Sequence, residues 1–75
     1  MNDWEKKDLE AIRGLQVGET AYVNWFEEGG GEVVRRGDLY YLYEIPQYGG
    51  EGNFEKTYSY AELEELVKYV HKTYI

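Results

Sequence analysis

The sequence predicts a small α+β fold: an N-terminal helix, a three- to four-stranded antiparallel meander, and a C-terminal helix packed on the sheet. Residues 39–45 read Leu-Tyr-Tyr-Leu-Tyr-Glu-Ile, and such a run of tyrosine and branched aliphatic residues is typical of a buried strand. Residues 63–74 carry apolar side chains at the spacing of one helix face. The connections between the strands are short, which favours antiparallel neighbours because parallel strands need longer crossovers.

The length and composition indicate one domain, residues 1–75, that depends on packing for its stability. A chain of 75 residues is near the lower limit of what folds without a disulfide or a metal. It has no cysteine and a single histidine, which excludes a disulfide, a thiolate metal site and a zinc site built from several histidines. Aromatic residues make up 17% of the chain, and we expect their large buried areas to supply the core.

The first helix is predicted over residues 3–13. Asn2 or Asp3 is suited to cap its N-terminus, and Glu5 completes a capping box with Asn2. Gly14 is the expected left-handed residue of a Schellman-type ending, in which the next leucine folds back onto the helix. The residues predicted to face the core are Trp4, Ala11, Ile12 and Leu15, with Leu9 at the margin and Asp8 interrupting them.

A strand, a glycine-rich loop and a second, shorter strand are predicted next. Residues 20–26 are rich in aromatic and β-branched side chains, which is typical of a strand. Three consecutive glycines disfavour regular structure, so residues 27–32 are expected to form a loop and residues 32–36 a short returning strand. The alternation in the first strand assigns Ala21, Val23 and Trp25 to the core face, and Tyr22, Asn24 and Phe26 to the solvent face.

Residues 39–45 are predicted to run in the centre of the sheet, because both faces of this strand are largely apolar. Arg36-Gly37-Asp38 resembles the tripeptide of integrin-recognition loops, but we interpret it as the tight turn that leads into this strand. Pro46 ends the strand, since it has no amide hydrogen for the ladder. A second glycine-rich loop follows over residues 47–53.

The C-terminal part is predicted to form a last strand and an amphipathic helix. Residues 54–58 alternate as a strand, with Phe54 and Tyr58 facing inward. Ser59 and Glu62 form a capping box that starts the helix. The apolar face of this helix is predicted to consist of Leu63, Leu66, Val67, Val70 and Tyr74.

The charge of the chain favours a protein partner over a nucleic acid or a membrane. Fifteen acidic against eight basic residues give a formal net charge of -7, and this charge repels phosphate backbones and anionic lipids. We therefore expect no direct nucleic-acid or membrane binding, and a larger protein with a basic surface as the partner. The sequence begins without a basic leader followed by an apolar run, so we expect a cytoplasmic protein without a signal peptide.

No pattern indicates an enzyme, a cofactor or a metal. The glycines at 29–31 are flanked by glutamates and precede a strand, so electrostatics exclude a phosphate-binding loop. The loop acids offer oxygen ligands for calcium, but their spacing differs from that of an EF-hand and we interpret them as solvated. His71 has no recognisable nucleophile or second base in the sequence. We therefore predict a non-enzymatic protein without catalytic, cofactor-binding or metal-binding residues.

The surplus of tyrosine is the remaining signal. Nine tyrosines are more than so small a domain can bury, and residues 39–45 carry tyrosine on both faces, so one tyrosine-bearing face is expected to be open. Exposed tyrosine offers apolar area and a hydroxyl at low entropic cost, and it is enriched at interfaces. The alternative is that tyrosine only completes a small core and its rim.

Two functions compete at this point. In size, acidity and compact α+β build, the chain resembles small phage-encoded inhibitors of host defence, including anti-CRISPR proteins and DNA mimics. The resemblance implies a stoichiometric inhibitor, in the host cytoplasm, that occupies a basic nucleic-acid-binding surface of a larger protein. The alternative is an accessory or regulatory subunit that dimerises or docks through a tyrosine face or an open sheet edge, at residues 32–36 or 54–58. The residues predicted to contact the partner are Glu27, Glu28, Glu32, Tyr48, Glu51, Glu62, Glu65 and Tyr69.

Overall fold

The predicted α+β fold and the order of its elements are confirmed. The computed structural model describes residues 1–26, 29–46 and 50–73, and for Phe26 it describes the backbone alone. The elements, in chain order, are α1 (Asp3–Arg13), β1 (Thr20–Phe26), β2 (Gly29–Arg36), β3 (Leu39–Ile45), β4 (Asn53–Ser59), a 3-10 turn (Tyr60–Glu62) and α2 (Leu63–Thr73).

The four strands form one antiparallel sheet in the order β1-β2-β3-β4. Each strand pairs with the next along the chain, as short connections require. β3 is central, as predicted. β2 is also paired on both sides, so the prediction that residues 32–36 offer an open edge is wrong. The edges of the sheet are β1 and β4, and β4 contains the other predicted edge, residues 54–58.

Both helices pack on the same face of the sheet. The result is a flat molecule of two layers, about 30 × 28 × 16 Å. Within the described parts of the chain, no helix or strand covers the opposite face, which we call the open face. The core between the layers consists of Leu9, Ile12, Leu15, Val23, Val33, Tyr40, Leu42, Tyr58, Leu63, Leu66, Val67 and Val70, all buried, with Ala21 packed against them.

Both bounds of α1 match the prediction, but the conformation of its C-terminal ending does not. The Glu5 amide donates to Asn2 Oδ1 (2.8 Å), and the Asn2 amide donates to Glu5 Oε1 (3.1 Å), which completes the capping box. Gly14 has φ -83° and is right-handed, so the left-handed Schellman ending is wrong. The chain reverses only at Gly18, where φ is +90°, and the Gly18 amide donates to the Arg35 carbonyl (2.7 Å).

The apolar face of α1 is narrower than predicted. Ile12 and the leucines on either side of it are buried, but Trp4 is 66% exposed and Ala11 is exposed as well. Asp8 lies on the same helix face as these two residues and bonds to the backbone of β1. This face therefore lies at the edge of the sheet rather than over the core.

A bulge in β1 inverts the predicted faces of its last residues. Val23 pairs with Gly31 and Phe26 with Gly29, so the register shifts between Val23 and Phe26. Asn24 has φ +50°, a left-handed conformation that asparagine tolerates better than most residues. As a result Asn24 is only 8% exposed, and Trp25 is 49% exposed, the reverse of the prediction.

The glycine run belongs to a strand rather than to the predicted loop. β2 begins at Gly29, and of the predicted loop only residues 27 and 28 lie outside the described residues. A Cβ on Gly30 would lie 2.6 Å from the Asn24 carbonyl oxygen. A Cβ on Gly31 would lie 3.0 Å from Leu42 Cδ1 and 3.2 Å from both Val70 methyls. Glycine is needed here because the bulge and α2 approach the strand closely.

β3 and β4 supply the open face with aromatic side chains. Tyr40 and Leu42 are buried beneath the helices, which leaves the alternate residues of β3 on the open face. β4 contains a bulge between Phe54 and Lys56, which pair with Tyr43 and Leu42 of β3. The extra residue moves the side chains that precede it to the opposite face of the sheet. Tyr58 therefore faces inward as predicted, but Phe54 is 55% exposed and lies on the open face.

The second helix and the tight turn agree with the sequence. Gly37 has φ +62° in the turn between β2 and β3, as expected of a two-residue hairpin loop. The Ser59 amide donates to Glu62 Oε1 (2.9 Å) within the predicted capping box. The four predicted apolar residues of α2 from Leu63 to Val70 are buried, and Tyr74 lies outside the described residues.

The close approach at Gly30 predicts a large cost for Gly30→Ala. We expect this change to lower the free energy of unfolding by about 1–3 kcal/mol, because the added methyl overlaps backbone that cannot rotate away. Gly14→Ala is the matched control, since Gly14 is right-handed and its added methyl meets only ordinary contacts. The control should be neutral or stabilise by up to about 1 kcal/mol. Urea denaturation measures both, and equal stabilities for the two variants would contradict the argument.

Candidate functional site

The open face carries a row of side chains that crosses all four strands. Tyr22 of β1 pairs with Glu32 of β2, Glu32 pairs with Tyr43 of β3, and Tyr43 pairs with Phe54 of β4. Paired residues lie on the same face of a sheet. Three aromatic rings and one carboxylate therefore line up across its full width.

A second row lies next to the first and extends the aromatic surface. Val34 pairs with Tyr41, and Tyr41 with Thr57. The Phe54 ring lies 5.9 Å from that of Tyr41 and 5.7 Å from that of Tyr43, distances typical of favourable aromatic pairs. Tyr41 and Tyr43 are half-buried, although no helix or strand among the described residues lies over them. Contacts with the Phe54 ring and with Arg36 contribute to this burial.

Arg36 borders this aromatic surface. Its Cζ lies 5.2 Å from the centroid of the Tyr41 ring, within the range of a cation–π contact. Its Nη2 also donates to the Tyr43 hydroxyl (3.3 Å). Arg36 therefore contacts both tyrosines that β3 places on the open face.

A groove of about 250 Å³ lies between α1 and the bulged end of β1. Both tryptophans of the chain, Trp4 and Trp25, line it. The Tyr22 ring, which also lines it, lies 4.9 Å from the Trp25 ring. The other lining residues are Lys7, Asp8, Ala11, Asn24 and His71.

Asp8 holds the base of this groove together. Its Oδ2 accepts the Asn24 amide (2.9 Å) and lies 2.6 Å from His71 Nε2. Because the carboxylate can only accept, His71 Nε2 carries the hydrogen. The side chains of Asp8 and His71 are 20% and 12% exposed. One carboxylate thus connects α1, the bulge of β1 and α2.

The sequence did not reveal this arrangement. In the sequence, Asp8 only interrupts an apolar face, and no nucleophile or second base is recognisable for His71. They are 63 positions apart, and no local pattern indicates that they meet. The sequence does place Trp4, Asp8 and Ala11 on one face of α1. The acidic Asp8 indicates that this face does not belong to the core.

Acidic residues and tyrosine gather at a separate place, the edge formed by β4 and α2. The Tyr69 hydroxyl donates to Glu55 Oε2 (3.0 Å). Burial raises the pKa of Tyr58 above its ordinary value, and Tyr69, Glu55, Glu65 and Glu62 raise it further. We call Glu55, Glu62, Glu65 and Tyr69 the β4-edge cluster.

The structure distributes the predicted contact residues over different surfaces. Glu62, Glu65 and Tyr69 belong to the β4-edge cluster, because each of them raises the pKa of Tyr58. Glu32 lies on the open face between two tyrosines, and Glu51 is exposed just before β4. Glu27, Glu28 and Tyr48 lie outside the described residues. Whether these residues contact a partner stays a prediction.

Removing the Asp8 carboxylate should destabilise the protein. Asp8→Ala leaves the amide of the buried Asn24 without this acceptor, and we expect a loss of about 1–3 kcal/mol in the free energy of unfolding. Glu10→Ala, which removes an exposed acid from the same helix, should change it by less than about 0.5 kcal/mol. Urea denaturation compares the two. Equal effects would show that Asp8 does not hold the bulge.

Glu62 predicts a dependence of stability on pH. The Ser59 amide, followed by the Ser59 hydroxyl, holds the pKa of Glu62 below its ordinary value of 4.5. A lowered folded-state pKa stabilises the protein above the ordinary pKa, and this contribution is lost as the pH falls through the folded-state value. Wild type should therefore exceed Glu62→Gln in melting temperature at about pH 7, and the difference should shrink below about pH 4.5. A constant difference down to about pH 2 would contradict this account.

The described parts of the chain support neither a metal site nor a membrane-spanning helix. There, no group of three or more histidine, cysteine or acidic residues is arranged to hold a metal ion. No helix among the described residues has both the length and the apolar character needed to cross a bilayer. Comparison of the chain with protein-family models, curated proteins and solved structures finds no match.

Proposed function

We propose that this chain is a protein-binding module that docks through the open face of its sheet onto a basic surface of a larger protein. One observation carries the proposal: the row from Tyr22 to Phe54 crosses the open face and presents aromatic rings at both of its ends. Phe54 and Tyr22 are 55% and 49% exposed. Contiguous exposed aromatic surface on a small protein is typical of an interaction site.

The chemistry of the face supports a protein as the partner. Phenylalanine and tyrosine bury large areas with little loss of side-chain entropy, and both are enriched at protein interfaces. Tyr41 and Tyr43 are already held by the Phe54 ring and by Arg36. Binding therefore immobilises few side chains, which reduces the entropic cost of association.

The charge of the chain supports a basic partner over a second copy. Each copy carries a formal charge of -7, and like charges oppose dimerisation. Glu32 lies in the aromatic row itself, where a cationic side chain of a partner would find a carboxylate. The net charge would also accelerate the encounter with a basic surface.

The β4-edge cluster favours a second candidate function. Three carboxylates there lie close enough to Tyr58 to raise its pKa, which is the acid–tyrosine arrangement expected of an inhibitor that occupies a nucleic-acid-binding surface. In that case Glu55 and Glu65 would occupy positions that phosphates otherwise take. This candidate depends on Glu55 and Glu65, and the open face depends on Phe54, so separate variants test the two.

Capture of the partner from the native cell, with matched variants, tests the open face. We expect Phe54→Ser to reduce the amount of captured partner at least tenfold, as loss of an aromatic anchor does at roughly 1.4 kcal/mol or more. Tyr60→Ser is the control, because Tyr60 is 56% exposed but belongs to the 3-10 turn that leads into α2. Its capture should equal that of wild type.

The same assay discriminates the alternatives. If Glu55→Lys with Glu65→Lys abolishes capture while Phe54→Ser leaves it intact, the open-face proposal is wrong and the inhibitor function at the β4 edge is supported. If light scattering detects a wild-type dimer that Phe54→Ser converts to a monomer, the open face binds a second copy and the basic-partner proposal is wrong.

A further inference from the structure

We infer that the groove between α1 and β1 receives an arginine side chain of the bound protein. The inference rests on the proposed function and adds the chemical identity of one partner residue. Its basis is the combination of three exposed aromatic rings with a carboxylate in a groove of about 250 Å³. A groove of this size suits one side chain rather than a drug-sized ligand or a cofactor.

The aromatic walls favour a planar cation. Trp4 is 66% exposed, and Trp25 and Tyr22 are each 49% exposed, so the rings are accessible to a ligand. A guanidinium is planar, is less strongly hydrated than an ammonium and stacks on indole and phenol rings. These properties favour arginine over lysine at such a site.

Asp8 supplies the acceptor for a guanidinium. Among the described residues, its bonds to the Asn24 amide and to His71 Nε2 both use the Oδ2 atom. Neither of them engages Oδ1, and a carboxylate has lone pairs on both oxygens. Asp8 lines the groove, so an apolar side chain bound there would desolvate the carboxylate without compensation. An N–H donor with positive charge avoids that cost.

Two basic residues, Lys7 and His71, also line the groove, and Lys7 makes the inference testable. Lys7 is an exposed cation, and it opposes a cationic ligand. His71 is occupied by Asp8 through Nε2. Removing the charge of Lys7 should therefore strengthen the binding of a cation and weaken the binding of an anion.

The groove is continuous with the open face. Tyr22 lines the groove, and it is also the first residue of the aromatic row through its pairing with Glu32. A protein that covers the open face therefore reaches the mouth of the groove at the β1 edge. An arginine at the margin of its interface is in a position to enter.

A small probe tests the groove without the partner. The probe is N-acetylarginine amide, and its control is N-acetylcitrulline amide, which has the same shape but a neutral urea group. Trp4 and Trp25 are the only tryptophans of the chain, so the indole N–H signals in an NMR titration report on the groove alone. We expect both signals to shift, with binding of the arginine probe at least about threefold tighter than that of citrulline.

Variants locate the binding and test its charge. Trp4→Ala removes an exposed ring and should weaken the binding of the arginine probe at least about threefold, whereas Tyr60→Ala, an exposed ring outside the groove, should leave it unchanged. Lys7→Gln should tighten it about twofold. Any of three results would overturn the inference. These are equal binding of the two probes, equal effects of Trp4→Ala and Tyr60→Ala, and weaker binding of the arginine probe to Lys7→Gln. Because the probe needs no partner, its failure leaves the result of the capture experiment standing.

Discussion

The hydrogen bond from the Asn24 amide to the Asp8 carboxylate is the contact on which the arrangement of this molecule depends. It fixes α1 against a bulge in β1, and the same carboxylate oxygen holds His71 of α2. The bulge turns Trp25 outward beside Tyr22, and it brings the Asn24 carbonyl so close to β2 that only glycine fits at position 30. The bulge therefore accounts for three features: the groove, the glycine at position 30, and the outward Trp25 beside one end of the aromatic row.

The second constraint is the number of layers that 75 residues can build. Two helices cover one face of a four-stranded sheet, and no helix or strand among the described residues covers the other. A chain of this size buries a smaller share of its surface than a larger domain does. The aromatic residues on the open face are therefore a direct consequence of a two-layer architecture combined with a tyrosine-rich central strand. Contacts with Phe54 and Arg36 limit their exposure but do not remove it.

The elements could be predicted because their signals are local. Capping residues and periodicity set both ends of α1 and the start of the C-terminal helical segment within a residue, and the tyrosine-rich run identified β3. The sheet face of a side chain could not be predicted across a bulge, because the extra residue shifts the alternation of side chains by one position. This happened at Asn24 and again in β4 before Lys56, which moved Trp25 and Phe54 to the surface. The Asp8–His71 contact was beyond prediction, since only the folded chain brings these two residues together.

Under the proposed function, the charge and the aromatic area would have two separate roles in binding. Long-range attraction depends on the net charge of the whole chain, which acts before contact and weakens with salt. Affinity after contact depends on buried rings such as Phe54, whose contribution changes little with salt. The acids of the β4-edge cluster lie beside the open face rather than within it, apart from Glu32 in the row. An acidic protein of this design can therefore be steered by one set of residues and anchored by another, and substitutions in the two sets should differ in their dependence on ionic strength.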